Sequence, residues 1–151
     1  MNSVLQNLLI REHLAIGVFL ELLDQEAEAM THGDFAKLPG LAARKSQQAD
    51  EIAYMGLQRE TEQVALGFVT GRSGADAAAA SDEALQNAWR DLLNLAAQAH
   101  ECNHRNGVMI HTHLDFTRQS ISFLQASGKP LYGPDGTHKT GASSGNSLAL
   151  G

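Results

Sequence analysis

A chain of 151 residues, 43% hydrophobic and 19% charged, has the makings of one soluble domain that buries roughly two thirds of the surface its unfolded form exposes. Its formal net charge of −6 lacks the basic footprint that a phosphate backbone requires, which argues against nucleic acid and leaves proteins as partners. Cys102 stands alone, so no internal disulfide framework is possible, which fits a reducing cytoplasm, and the first ten residues have no basic n-region and are cut short by Arg11 and Glu12, so neither signal peptide nor membrane insertion is expected.

Only 5% of residues are aromatic, while Ala, Leu, Gln and Glu are frequent, a composition that favours helix over strand. From Asn2 to about Met30, Leu5, Leu9, Glu12, Ile16, Phe19, Leu23, Glu26 and Met30 recur at steps of four and three, the spacing of one helix face. Glu12 and Glu26 therefore sit within an apolar seam. Gly33 suits a left-handed helix stop, and Asp34 can cap the next segment. Pro39 is tolerated only in a first turn, so the second helix is predicted to begin there, with Phe35 to Leu38 as a helical lead-in, and to run to about Phe68.

The second stripe reads Leu38, Ala42, Lys45, Ala49, Ile52, Gly56 and Arg59, and holds two cations where the first holds two anions. In an antiparallel hairpin, one register sets Glu26 against Lys45 and also Glu12 against Arg59. That register centres the turn midway between His32 and Pro39, where glycine and proline independently place it. The pairs are expected to fix the register, since half-buried ion pairs specify arrangement more reliably than they add stability. The alternative is four solvated charges on the helix flanks, worth only ~0–1 kcal/mol per pair.

Thr70 to Asp76 reads as a flexible connection, and Ala77 to Ala80 as helix or loop. Ser81, with Asp82 and Glu83 behind it, is the predicted cap of a third helix running to about Ser127. Its stripe is Leu85, Trp89, Leu92, Ala96, Ala99, Asn103, Asn106, Ile110, Leu114, Thr117, Ile121 and Leu124, which places two asparagines on the buried seam, with Gly107 beside them to admit a neighbouring helix or ease a bend. From Gly128 the chain turns to Gly, Ser, Lys, Thr and Pro. The expected architecture is all-α: three long antiparallel helices, a hairpin plus a long third helix, forming a bundle over residues 1–127 with a flexible tail over 128–151.

His100-Glu101-Cys102-Asn103-His104 matches the H-E-x-x-H pattern, in which two histidines on one helical face bind zinc and the glutamate activates water. Gly107 continues the longer form of that pattern. The pattern then fails, because its third histidine should stand where Ile110 is and His111 is one residue late; the stripe also continues through the glycine where the chain should reverse, and no substrate-binding edge strand is evident. These are expected to be surface histidines, with adventitious metal binding by His100, His104 or His111 left open. No cofactor, metal site or enzymatic activity is expected.

At these residues the chain resembles the flagellar export chaperone FlgN family. The resemblance rests on Leu8-Leu9, Glu12 and Leu22-Leu23-Asp24-Gln25-Glu26-Ala27, then Gly33-Asp34-Phe35, Lys45, Leu57-Gln58-Arg59 and Trp89, and above all on Asn103-His104-Arg105-Asn106-Gly107 with Ile110 behind it. Leu131-Tyr132-Gly133-Pro134-Asp135-Gly136 adds to it near the end. The ordered set spans nearly the whole chain, while Pro39 and the Gly71 to Ala80 insertion depart from a uniformly helical pattern and bear on the helix boundaries rather than on the resemblance.

The resemblance implies a cytoplasmic, non-enzymatic chaperone that holds hook-filament junction (hook-associated) proteins and delivers them to the flagellar type III export apparatus and its gate. Such a protein need only offer an apolar helical surface to an amphipathic client segment. Phe116, Ile121, Phe123 and Leu124 are spread too widely round the third helix to be covered by one seam, and with Leu131 and Tyr132 they are the expected partner site. Tyr132 is a candidate contact for export machinery. Ile121 and Leu124 could instead be core. The rival reading is a structural or adaptor protein that self-associates, as a homo-oligomer, through its long third helix.

Overall fold

The computed structural model describes residues 3–128. Within them the chain forms α1 (Ser3–Thr31), a single 3-10 turn (Phe35–Lys37), α2 (Leu38–Ala65), α3 (Gly71–Ala80) and α4 (Glu83–Ala126), with no strand among the described residues. The fold is all-α. It divides into two units, one up to Met109 and one from Ile110 onward. The expected flexible tail lies outside the described residues apart from Gly128.

The chain reverses where α1 ends, and the local chemistry sets the place. The Gly33 amide donates to the Met30 carbonyl (3.3 Å) and the Asp34 amide to the Ala29 carbonyl (2.7 Å), with Gly33 at φ +75°. That left-handed turn satisfies carbonyls the helix end leaves open and suits a residue without a Cβ. The Asp34 carboxylate does not form the cap expected of it; the backbone of Asp34 makes the turn's hydrogen bonds instead. Pro39 is the second residue of α2, inside the first turn, where its missing N–H costs no intrahelical bond. The same turn recurs at the end of α2, where the Phe68 amide reaches the Gln63 carbonyl (2.9 Å) and Gly67 adopts φ +91°.

In the first unit α1 and α2 run antiparallel, while α4 runs alongside α1 in the same direction, so that Leu5 and Leu9 share a core with Leu85 and Trp89, and Leu23 meets Asn106. That core also holds Ile16, Leu92 and Ala99, with Phe19, Ile52 and Phe68 packed partly buried against it. A second, smaller cluster of Leu22, Ala29 and Leu41 lies under the α1–α2 reversal. α2 contributes only Leu41 and Gln63 to the buried set, in keeping with its weak stripe.

The segment expected to be a flexible connection is helical. α3 spans Gly71–Ala80 and buries Gly74, Ala75, Ala78 and Ala79. A Cβ at Gly74 would stand 1.6 Å from the Val69 carbonyl oxygen, so only glycine allows α3 to pass so close to the backbone that precedes it. Burial of an alanine methyl is worth only about 0.8 kcal/mol, against roughly 1.5–3 kcal/mol for a whole Leu or Phe side chain, so the side chains of α3 itself bring little apolar burial to the contact. α4 is capped one residue later than expected. The Ala84 amide donates to Asp82 Oδ1 (2.8 Å), which draws the Asp82 carboxyl below its ordinary value of 3.8, while the Ser81 hydroxyl donates back to the Ala78 carbonyl (2.6 Å).

In the second unit, residues 110–126 continue α4, and none of residues 110–128 is buried.

Candidate functional site

Two carboxylates lie inside the first unit, and each meets a cation across the α1–α2 seam. Glu12, 6% exposed, accepts Arg59 Nε at 2.7 Å. Arg59 uses the rest of its fork as well. Its Nη1 donates to Gln63 Oε1 (2.7 Å), and its guanidinium lies 5.1 Å from the centre of the Trp89 ring, within cation–π range. Gln63 is wholly buried and passes the network on, donating Nε2 to the Val69 and Gly71 carbonyls at 3.2 and 3.3 Å. The Trp89 indole N–H donates to Asp76 Oδ1 at 2.7 Å. One arginine thus ties α1, α2 and α4 together, and through Gln63 and Trp89 it reaches α3.

At the other end of the seam Glu26, 2% exposed, accepts Lys45 Nζ on both oxygens, at 3.1 and 3.2 Å. Lys45 gives its third donor to Asn103 Oδ1 at 2.9 Å. Asn106, wholly buried on α4, donates to the Leu23 carbonyl (2.8 Å) and to Glu26 Oε1 (3.0 Å), while its own Oδ1 is buried with no partner among the described residues. Between the two ends Gln48 Nε2 donates to the Ala15 carbonyl at 2.9 Å. The four charges pair across the seam, the two carboxylates buried and the two cations partly exposed.

Two residues placed on this seam from the sequence sit elsewhere. Asn103 is exposed and reaches Lys45 from the rim, because a single helical stripe does not separate the centre of a contact from its edge. Gly107 is exposed, and a Cβ there would meet nothing within 4 Å among the described residues, so it admits no neighbouring helix of theirs; the close approach belongs to Gly74. Sequence reasoning also missed Gln63 and Asp76. Only the four-residue step from Arg59 to Gln63 pointed to the first, and nothing in an exposed-looking linker pointed to the second.

The H-E-x-x-H residues His100, Glu101 and His104 are all exposed on an unbroken stretch of α4, as is His111. No group of three or more His, Cys, Asp or Glu able to hold a metal ion comes together among the described residues.

In the second unit the apolar side chains are turned outward. Phe116 is 67% exposed, Phe123 71%, Leu114 46% and Ile121 43%, while Leu124 is partly covered. A shallow recess runs along the helix between Phe116, Gln119, Ser120, Phe123 and Leu124. At 3.6 residues per turn, the apolar residues from Ile110 to Leu124 cover about half of the helix circumference. The Asp115–Arg118 pair (3.8 Å) occupies the other half. Neither Ile121 nor Leu124 is buried core, and Leu131 and Tyr132 lie outside the described residues.

Fold and site together define an all-α bundle protein whose interior charges bind helix to helix and whose last helix carries an apolar face exposed in its own unit. The family model for FlgN protein matches residues 1–140, and the chain belongs to the FlgN family. It is 29% identical over 138 residues to the Flagella synthesis protein FlgN of Yersinia enterocolitica, a match that covers 85% of this chain and 88% of that protein. To the protein of the same name from Yersinia enterocolitica serotype O:8 / biotype 1B, strain NCTC 13174 / 8081, it is 30% identical over 107 residues, covering 70% and 67%. No solved structure matches the chain.

Proposed function

We propose that this protein is a cytoplasmic, non-enzymatic export chaperone of flagellum synthesis, which binds hook-filament junction (hook-associated) proteins and delivers them to the gate of the flagellar type III export apparatus. The observation that carries the reading is the exposed apolar face from Leu114 to Leu124, in a chain of the FlgN family whose relatives bear the name Flagella synthesis protein. A client's amphipathic segment, laid against that face, would be kept from assembling or aggregating. Phe116, Ile121, Phe123 and Leu124 are the client contacts in this reading, together with Leu131 and Tyr132, which lie outside the described residues, and Tyr132 meets the export machinery. No cofactor takes part.

α1 is apolar enough to invite a membrane reading, with mean hydropathy of 1.2 over an 18-residue window. Glu12 and Glu26, both buried on its inner face and both paired with cations of α2, favour its assignment as a core helix of the bundle.

The test is size-exclusion chromatography of the protein with the C-terminal segments of the hook-filament junction proteins of its own organism. Co-elution is expected, lost on deletion of residues 121–151 and weakened by Phe123→Ala with Leu124→Asp. Separate peaks at tens of micromolar would remove the reading. The same face could instead receive a second copy of the chain, as in a self-associating adaptor, and sedimentation at two concentrations without client distinguishes the two.

A further inference from the structure

α3 is held differently from every other helix of the first unit. It buries no side chain larger than alanine, and its buried residues are Gly74, Ala75, Ala78 and Ala79. What anchors it is a set of polar ties to the segment from Val69 to Asp76. Gln63 Nε2 donates to the Val69 and Gly71 carbonyls, the Gly71 amide donates to Glu60 Oε1 (3.1 Å), and Asp76 accepts the Trp89 indole N–H. Two glycines with positive φ, Gly67 at +91° and Gly71 at +78°, flank the approach to α3. Such positions absorb backbone rotation with little steric resistance. On the far side the helix stops at Ser81, and Asp82 begins α4 with a cap of its own.

Beneath α3 lies an apolar groove lined by Leu5, Leu9, Leu85 and Trp89, with Arg59 and Gln63 at its edge and Ala75, Ala78 and Ala79 as its cover. We propose that α3 is a latch, an internal ligand for this groove, which opens as a unit about Gly67–Gly71 and Ser81 while α1, α2 and the rest of the first unit stay folded. Closed, it keeps Leu5, Leu9, Leu85 and Trp89 from water. Open, it gives the protein a second apolar surface, separate in sequence from the face between Leu114 and Leu124. The direct ties between α1, α2 and α4, Glu12–Arg59, Glu26–Lys45 and Asn106–Leu23, involve no atom of α3, which meets the seam only indirectly through Gln63 and Trp89. This inference does not rest on the chaperone reading.

Hydrogen exchange of the full-length protein, read by mass spectrometry, tests it. Local opening lets amides exchange far faster than global unfolding does, so peptides covering 71–80 are expected to exchange at least ~10-fold faster than those covering the buried half of α1. Asp76→Ala, which removes the Trp89 acceptor at an exposed carboxylate, is expected to speed 71–80 several-fold further and leave α1 and α2 unchanged. Trp89 is the only tryptophan, so its quenching by acrylamide should rise in the same variant. Gly74→Ala, which cannot dock past Val69, is expected to hold the latch open, with helicity elsewhere kept and Trp89 emission shifted to the red. Exchange of 71–80 at the rate of α1, equal acceleration of α1 and α3 in Asp76→Ala, no acceleration at all in that variant, or loss of the whole fold in Gly74→Ala would each overturn the proposal.

Discussion

The two ends of the charged seam solve one problem with different cations. Both glutamates are almost wholly buried, and neither can stay there without a partner, because an unpaired buried carboxylate costs several kcal/mol. At Glu12 the partner is arginine, 12% exposed, whose flat fork also serves Gln63 and lies over Trp89. At Glu26 the partner is lysine, 22% exposed, whose three donors go to two carboxylate oxygens and to Asn103 at the rim. The arginine end needs a planar group with several donors and a stacking face, whereas the lysine end needs a point charge that water can still approach. The first is a junction of four helices and the second a clasp of three.

The contrast can be broken at its stronger end first. Arg59→Ala leaves Glu12 buried without its cation and strips Gln63 and Trp89 of a shared neighbour, so a loss on the order of 3–5 kcal/mol is expected in urea unfolding followed by circular dichroism. Arg59→Lys should recover only part of it, since one ammonium cannot reach Glu12 and Gln63 and also cover the indole face. A double-mutant cycle on Glu12 and Arg59 should show coupling of roughly 1–3 kcal/mol, exceeding that of Glu26 and Lys45; equal couplings would erase the difference between the two ends. Asn106→Leu comes next, with an expected change of about 1–2 kcal/mol, because it removes two donors but also a buried oxygen that has no partner among the described residues. Destabilisation at the Arg59 scale would show that Asn106 belongs with the stronger end.

Replacing Phe116 and Phe123 by serine should move stability by less than ~0.5 kcal/mol each, as they are largely exposed, while abolishing client capture on the column. The smallest effect lies at Asp82. Its folded carboxyl is drawn below 3.8 by the Ala84 amide, so its contribution is present above the unfolded value and is lost as pH falls through the folded one. Asp82→Asn keeps an acceptor for Ala84 and is expected to flatten the acid limb of a stability titration below about pH 4. An unchanged acid limb would show that the cap carries no linkage.

The α1–α2 hairpin is legible in the sequence because three independent signals agree there: helical spacing, the Gly33 and Pro39 punctuation, and charges that match in one register. α3 is not legible, since Gly71-Arg-Ser-Gly-Ala-Asp and the four alanines after it carry no large apolar residue and include two glycines, and the helix depends on partners distant in sequence, above all Gln63 and Trp89. The small residues Ala75, Ala78 and Ala79, at helical spacing beside Gly74, are the available sign. In α4 the periodic stripe reports the buried face as far as Asn106, Asn103 at the rim excepted; beyond it the spacing persists with no buried residue, and spacing alone does not report what covers a face.

The glycine stop at Gly33 also bears on how the protein is made. The contacts that set the hairpin span short distances along the chain, 19 residues for Lys45 with Glu26 and 47 for Arg59 with Glu12, whereas Asn106 reaches back 83 residues to Leu23. Loop closure costs more as the span grows, and chains rich in near contacts fold sooner. The expected sequence of events is a hairpin that closes while α4 is still being synthesised, and then α4 docking onto a surface whose register is already chosen. In refolding from denaturant, helix signal should therefore rise before Trp89 leaves water; simultaneous phases would mean that the three long helices condense together.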